Sequence, residues 1–426
     1  MNNRQTIGIF QAEWPLQSQT AFCARMLVNA GFQVELFLYD TKDLAGLDSL
    51  KNLSEIRIHN FEKAEIPMPG RKKFIKKLPL TRIRKFKDIF FRIYLYLAAH
   101  LYRYGHFPLG KNLLPLPSWL IQRSEKIIEA KKFKYLIGVE KKGLSWAGWH
   151  GVKLNIPFIY HSLELYTYRH PDLYEIPKGV RTKIAEEYFH KKSTATIIQD
   201  PERGRVLLRD NGLEETELLY LPVSILDDPD KNRDHDTYLH EKFQLPKNQI
   251  LIIQFGLFYN RRYTVELVKI AQNFPENWSL VLHGYGLSND YINQIQEMDK
   301  KNKVILSLAL VPSDQIHRII NSAHIGLSFY AYSNDNDRLT AYASEKMALY
   351  QKFGLPFIAF DYSGYREIAG RFKSGVVIPS LGQLTEAIET ILSSYEIFRK
   401  NAFSCFSECY DYGKNSQRVI DFLKTG

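Results

Sequence analysis

The side chains best able to do chemistry fall in four short stretches. In Gly256-Leu-Phe-Tyr-Asn-Arg261-Arg262 a glycine lets backbone approach a ligand, and two guanidinium groups follow. A diphosphate would satisfy that set; the alternative is an ordinary glycine turn carrying exposed arginines. Ser344-Glu345-Lys346-Met347 opens a helical run that Gly354 ends, with Ser344 placed to cap it. Lys346 in the first turn opposes the helix dipole, a cost that a shared anion would offset and that a solvated lysine would also tolerate. Ser363-Gly364-Tyr365-Arg366-Glu367 offers a backbone bend and a carboxylate for a ribose or sugar hydroxyl, unless Glu367 is merely a helix-start charge. The fourth stretch is Tyr160-His161-Ser-Leu-Glu164. His161 could take a hydroxyl proton near neutral pH, and Glu164 could do so if burial raised its pKa; a structural hydrogen bonder is the competing role for the histidine. Glu140 is a further candidate base.

All four stretches follow runs that read as β-strands. Thr6–Phe10, a helical span Thr20–Asn29 stopped by Gly31, and Val34–Leu38 make one β-α-β unit. Tyr135–Val139, a helical Leu144–Leu154 and Pro157–Tyr160 repeat it, with further strands at Thr194–Gln199 and Glu217–Leu221. The stretch Asp227–Asp236 is almost pure turn and charge composition. Six more strands are expected at Ile250–Phe255, Ser279–His283, Val304–Leu306, Ile325–Phe329, Pro356–Phe360 and Val376–Ile378, with helical spans between them. The expectation is α/β: a first domain over 1–226, a linker over 227–240, a doubly wound second domain over 241–410, and a helix over 411–426 that packs back on the first.

The second half also resembles a known family. From about Ile250 to Phe422 it is similar to the C-terminal domain of GT-B glycosyltransferases of the glycogen-synthase-like superfamily, of the family 4 and family 1 type. Ser344–Ala359 (SEKMALYQKFGLPFIA) carries the most specific match, to the Ser-Ser-Lys-x-x-Glu-Tyr-x-Ala-x-Gly-x-Pro-Val-Ile-Ala signature. Gly256–Tyr263 falls where the family has Gly-Arg-Leu and then Lys-Gly, with Arg262 at the lysine position and Leu257 in place of the arginine. Leu280–Gly286 is similar to its Val-Gly-x-Gly run, and Gly364–Glu367 to its Gly-x-x-Glu. The resemblance implies two Rossmann-like domains facing each other across a cleft, with Lys346 on the donor phosphate. It also implies that one ribose contact is missing, since Leu349 stands where a glutamate usually is. Ala341 replaces the second glutamate of many retaining members, so stereochemistry is not assigned. In the first half only the outline matches, and Glu13-Trp14-Pro-Leu-Gln-Ser-Gln replaces the usual Gly-Gly loop; Glu13, Trp14 and Gln17 are expected to touch acceptor or donor sugar.

Composition narrows the rest. At 426 residues and 45% hydrophobic, the chain can bury two ordinary cores. No run approaches the roughly 20 apolar residues of a spanning helix, the N-terminus does not read as a signal peptide, and the three cysteines form no paired framework. A cytoplasmic protein is expected. Between Arg71 and Lys134, 17 lysines and arginines stand against three acids, so this stretch nets +14 while the whole chain nets +11. Interleaved Phe, Ile, Leu and Tyr give it the composition of a segment lying on an anionic membrane surface. Nucleic acid is attracted by the same charges but is not the expected partner. The Asp-x-Asp pairs at 228/230, 234/236 and 335/337 lie in the linker or a second-domain loop, so no metal or other cofactor is expected. The expected activity is metal-independent transfer from a nucleotide-sugar donor to a lipid-linked or surface-glycan acceptor at the inner face of the cell membrane. The alternative is a non-catalytic membrane- or nucleic-acid-binding scaffold on a degenerate version of the same fold.

Overall fold

The computed structural model describes residues 4–12, 16–39, 50, 53–62, 114–169, 179–225, 234–258, 262–285, 288–309 and 311–426. The chain divides into two compact units, one of residues 1–221 with 416–426 and the other of 222–415.

The first unit is built on a parallel sheet with strand order β3-β2-β1-β4-β5-β6-β7 among the described residues. The strands are β1 (Thr6–Gln11), β2 (Gln33–Tyr39), β3 (Ile56–Phe61), β4 (Phe133–Val139), β5 (Phe158–His161), β6 (Ala195–Ile198) and β7 (Glu217–Tyr220). The central ones are apolar on both faces, as strands covered on two sides must be. Helices α1 (Ser18–Asn29), α2 (Ser118–Glu129), α3 (Glu140–Leu154), α4 (Gly179–His190) and α5 (Pro201–Asp210) alternate with them. Phe10 stacks on Phe37 at 4.4 Å between centroids, and Trp146 of α3 meets Phe10 edge-on at 5.3 Å, so aromatic packing ties the helix to the sheet. Helix α3 also lies unusually close to the strands. A Cβ on Gly143 would fall 2.3 Å from the Phe10 carbonyl oxygen, and one on Gly138 would fall 2.4 Å from Leu144 Cα.

One expectation changes here. The described end of the basic stretch, residues 114–134, does not present its apolar side chains outward. Leu114, Leu116, Leu120, Ile121 and Ile128 are buried, while Arg123 and Lys126 are exposed, because α2 has an apolar stripe that the core of this unit covers. The rest of that stretch, 71–113, lies outside the described residues.

The second unit repeats the plan with β8 (Ile250–Leu257), β9 (Trp278–Tyr285), β10 (Val304–Ser307), β11 (Ile325–Ser328), β12 (Phe357–Phe360) and β13 (Gly375–Ile378). They form a parallel sheet in the order β10-β9-β8-β11-β12-β13. Its helices are α6 (Tyr238–Lys242), α7 (Thr264–Ala271), α8 (Asn289–Met298), α9 (Ser313–Asn321), α10 (Asp335–Arg338), α11 (Glu345–Lys352), α12 (Ser363–Phe372), α13 (Leu384–Ser393) and α14 (Tyr395–Cys405). Apolar cores fill both faces, one around Tyr350 and Phe357 and the other around Leu280 and Ile358. A last helix, α15 (Tyr412–Thr425), returns the chain to the first unit. There Val419 and Leu423 are buried, Phe422 lies 5.9 Å from the ring of Tyr135, and Arg418 pairs with Glu217 at 3.0 Å.

Candidate functional site

In the second sheet the strand order reverses between β8 and β11, the place where an open parallel sheet leaves a crevice outside its carboxyl ends. Segments following two neighbouring strands meet there. Arg262 follows β8, Tyr330 follows β11, and Ser344 with Lys346 open α11. The guanidinium carbon of Arg262 lies 3.8 Å from the centroid of the Tyr330 ring, and the ammonium of Lys346 lies 4.7 Å from it. Two cations thus share one aromatic ring, an arrangement that holds like charges together against their repulsion. Arg262 also pairs with Asp337 at 3.4 Å, and its carbonyl accepts from Gln254 Nε2 at 2.7 Å.

The electrostatics follow from that crowding. Burial pushes the Tyr330 phenol up, but Lys346 and Arg262 outweigh it and hold the group below the ordinary tyrosine value. Burial lowers Lys346, with Tyr330 opposing the shift and Arg262 adding to it. Ser344 departs from its expected role. It occupies the N-cap position of α11, yet its side chain makes no capping bond and instead pairs with Tyr330 Oη at 3.1 Å.

The other expected donor residues divide. Gly256 has φ +115 and Leu257 beside it is exposed, so the positive φ, not a close neighbour, is what requires glycine. Gly364 packs against Ala341, whose Cβ would be 2.8 Å from an added Cβ. Tyr365 is fully buried, with its hydroxyl 2.8 Å from Ser328 Oγ and 3.0 Å from Thr340 Oγ1. It braces the loop that carries Tyr330 and does not present itself to a ligand. Glu345 and Glu367 are exposed. Glu367 lies against Tyr342, whose phenol is pushed up by burial and by this carboxylate. Arg261 lies outside the described residues, as do Glu13 and Trp14. Gln17 stands just before α1 with its backbone N–H 3.4 Å from Gln11 Oε1 and its own side-chain oxygen buried.

In the first unit the segment after β5 is held from three sides. Glu140 Oε1 accepts the backbone N–H groups of Leu163 at 2.6 Å and Glu164 at 2.8 Å. Arg203 Nη2 donates to the Leu163 carbonyl at 2.9 Å, and Gln199 Nε2 to that of Ser162 at 2.6 Å. Glu140 sits directly between β4 and α3 at φ +59, a left-handed turn that a non-glycine residue rarely adopts. Buried at 2% exposure and tied to these amides, it positions the segment and is not available as the base.

His161 is also moved out of the role expected of it. The imidazole is 1% exposed, burial pushes its pKa down to about 4, and Nδ1 is buried without a hydrogen-bond partner. Such a group is neutral at pH 7 and a poor proton acceptor, and solvent does not reach it. Glu164, by contrast, is exposed. Of the three groups considered as base, only Glu164 is exposed, without the burial expected of it.

Among the described residues no three His, Cys, Asp or Glu side chains gather where they could hold a metal ion. Asp335 pairs with Arg338 at 3.3 Å and Asp337 with Arg262, so that Asp-x-Asp is engaged with arginines.

Residues 236–404 match the family described as glycosyl transferases group 1. No curated protein sequence matches the chain. Among solved structures, HepE of Anabaena, in complex with UDP, superposes with a TM-score of 0.65 at 12% identity, covering 99% of this chain and 100% of that one. Sucrose-phosphate synthase of Thermosynechococcus elongatus gives 0.62 at 15% identity, over 99% and 98%. WaaG, a glycosyltransferase involved in lipopolysaccharide biosynthesis, gives 0.61 at 13% identity, over 99% and 100%. Two parallel sheets with interleaved helices, superposed over their whole length by these structures, give this chain the GT-B fold, and its second unit carries the segment similar to glycosyl transferases group 1.

Proposed function

We propose that the chain moves a sugar from a nucleoside-diphosphate sugar to a hydroxyl of a lipid-linked or surface-glycan acceptor, in polysaccharide or lipopolysaccharide assembly. The observation that carries the donor half is the convergence of Arg262 and Lys346 on Tyr330 at the reversal point of the second sheet. Negative charge grows on the diphosphate as the glycosidic bond to the donor breaks. Cations fixed beforehand stabilise that charge more than they stabilise the intact donor, which lowers the barrier and not only the donor KM. They can do this without a metal. The known structures bound to UDP and to UDP-glucose are consistent with a donor of this class. Glu164, on the rigidly held segment after β5, is the group proposed to take the acceptor proton.

The acceptor half rests on charge. Residues 71–113 hold 12 lysines and arginines against one acid, and an acceptor anchored in an anionic membrane would be concentrated by them at the inner face. Calorimetric titration with UDP, GDP, ADP and CMP tests the donor half. One nucleotide should bind selectively, and Arg262→Ala and Lys346→Ala should each weaken it by about tenfold, the loss of one charge-assisted contact. Equal binding by the wild type and both variants would refute the assigned site.

A further inference from the structure

The first sheet has its own reversal point, between β1 and β4, and a cavity of about 280 Å³ opens there. Its walls come from the carboxyl ends of neighbouring strands. Ala12 follows β1, Tyr39 ends β2, and Lys142 lies in the first turn of α3 immediately after β4. Leu114, Pro115, Leu116 and Pro117 close one side, and Arg181 of the first turn of α4 completes it.

Three features define what the cavity suits. No acidic side chain is among the described residues that line it, while two cations are. Both cations stand at the third position of a helix, where the positive end of the helix dipole adds to their own charge, so the described lining carries four sources of positive potential. The rest of the wall is proline and leucine with the ring of Tyr39, which is backed edge-on by Trp119 at 5.8 Å. Arg181 is fixed in place, since its guanidinium donates to the Leu114 carbonyl, and burial lowers its pKa. A guanidinium so anchored has little orientational freedom left to lose on meeting an oxyanion.

We propose that this cavity is the acceptor subsite and takes a phosphate attached to an apolar chain, the phosphate between Lys142 and Arg181 and the chain along Leu114–Pro117. This rests on the transferase reading above and narrows its acceptor to a phosphate-bearing amphiphile. A volume of about 280 Å³ is at the lower edge of the range of small-molecule sites, roughly 300–1,000 Å³, so the cavity holds the phosphate and the first few carbons, not a whole lipid.

Titration of the full chain with farnesyl phosphate, farnesol and inorganic phosphate tests it, with the selected nucleotide as a separate ligand. Farnesyl phosphate should bind, and removing either the phosphate or the chain should weaken binding by at least about tenfold. Lys142→Gln and Arg181→Gln should each weaken farnesyl phosphate by about tenfold and leave the nucleotide unaffected. Because Arg181 also holds Leu114, the Lys142 variant decides if the Arg181 variant unfolds. Farnesol or inorganic phosphate binding as tightly as farnesyl phosphate, or indifference to Lys142→Gln, would overturn the assignment. If nucleotide binds and farnesyl phosphate does not, the cavity assignment fails and the donor reading stands. If the probe binds through Lys142 and no nucleotide binds, the donor reading fails instead.

Discussion

Tyr330 is the residue on which the proposed donor site turns, and nothing in its local sequence marks it. It sits in Ile-Gly-Leu-Ser-Phe-Tyr-Ala-Tyr, which reads as a buried strand and its continuation. Arg262 and Lys346 were legible as candidates because a guanidinium after a glycine turn and a lysine at a helix start are both anomalous alone. Their common neighbour emerges only when strands distant in sequence become adjacent in the sheet. If the ring sets the spacing of the two cations, substitutions should grade by what they keep. Tyr330→Phe retains the ring and should raise donor KM only a few-fold. Tyr330→Leu removes both cation–ring contacts, worth about 0.5–2 kcal/mol each, and should raise KM by about tenfold or more. Steady-state kinetics at saturating acceptor separate the two; identical behaviour of Phe and Leu would reduce Tyr330 to a core residue. His161 teaches the opposite lesson. A histidine at the end of a strand has the right chemistry on paper, but its side chain is buried, and desolvation removes its basicity.

At the scale of elements, most of the strand pattern could be read directly, because strands covered by helices on both faces are unbroken apolar runs. The exception is β3, Ile56–Phe61, an edge strand with Arg57, His59 and Asn60 and only partial burial. Its period is weak because, among the described residues, one of its edges has no strand beside it. The junction of β4 and α3 was equally hidden. A helix was expected from Leu144, yet it begins at Glu140, since a left-handed residue turns the chain straight from strand into helix. That turn aims the Glu140 carboxylate at the segment bearing Glu164. Glu140→Ala should therefore loosen the segment, costing about 2–4 kcal/mol for two charge-assisted hydrogen bonds partly compensated by water. Glu140→Gln retains an acceptor oxygen and should lose less. Hydrogen exchange at the amides of Leu163 and Glu164 is the direct readout: protection should fall in the alanine variant and persist in the glutamine variant. Unchanged protection in Glu140→Ala would show that Arg203 and Gln199 hold the segment alone.

On the scale of the whole molecule, charge is unevenly distributed. The stretch 71–134 nets +14 and the remainder of the chain nets −3. Since α2 turns its apolar stripe into the core, residues 114–134 offer charge and not apolar side chains to a membrane, and their part of the attraction should be electrostatic. Flotation with liposomes should show retention on anionic vesicles, little on neutral ones, and release as salt rises. Neutralising the lysines and arginines from Arg71 to Lys87 should abolish it; equal retention on neutral vesicles would remove electrostatics as the cause. Among the described residues no helix is long and apolar enough to cross a membrane.

The return of α15 to the first unit has a consequence for how the chain comes off the ribosome. Domains ordinarily fold in the order they emerge, N-terminal first. Here residues 416–426, with the buried Val419 and Leu423, belong to the unit whose other residues are synthesised earliest, and all of 222–415 is made in between. The nascent first unit therefore waits with the seat of Val419, Phe422 and Leu423 uncovered beside Tyr135 until translation is nearly over, while the inserted unit can close once its own last core residues, through Tyr410, are out. Order of completion is the reverse of order of synthesis.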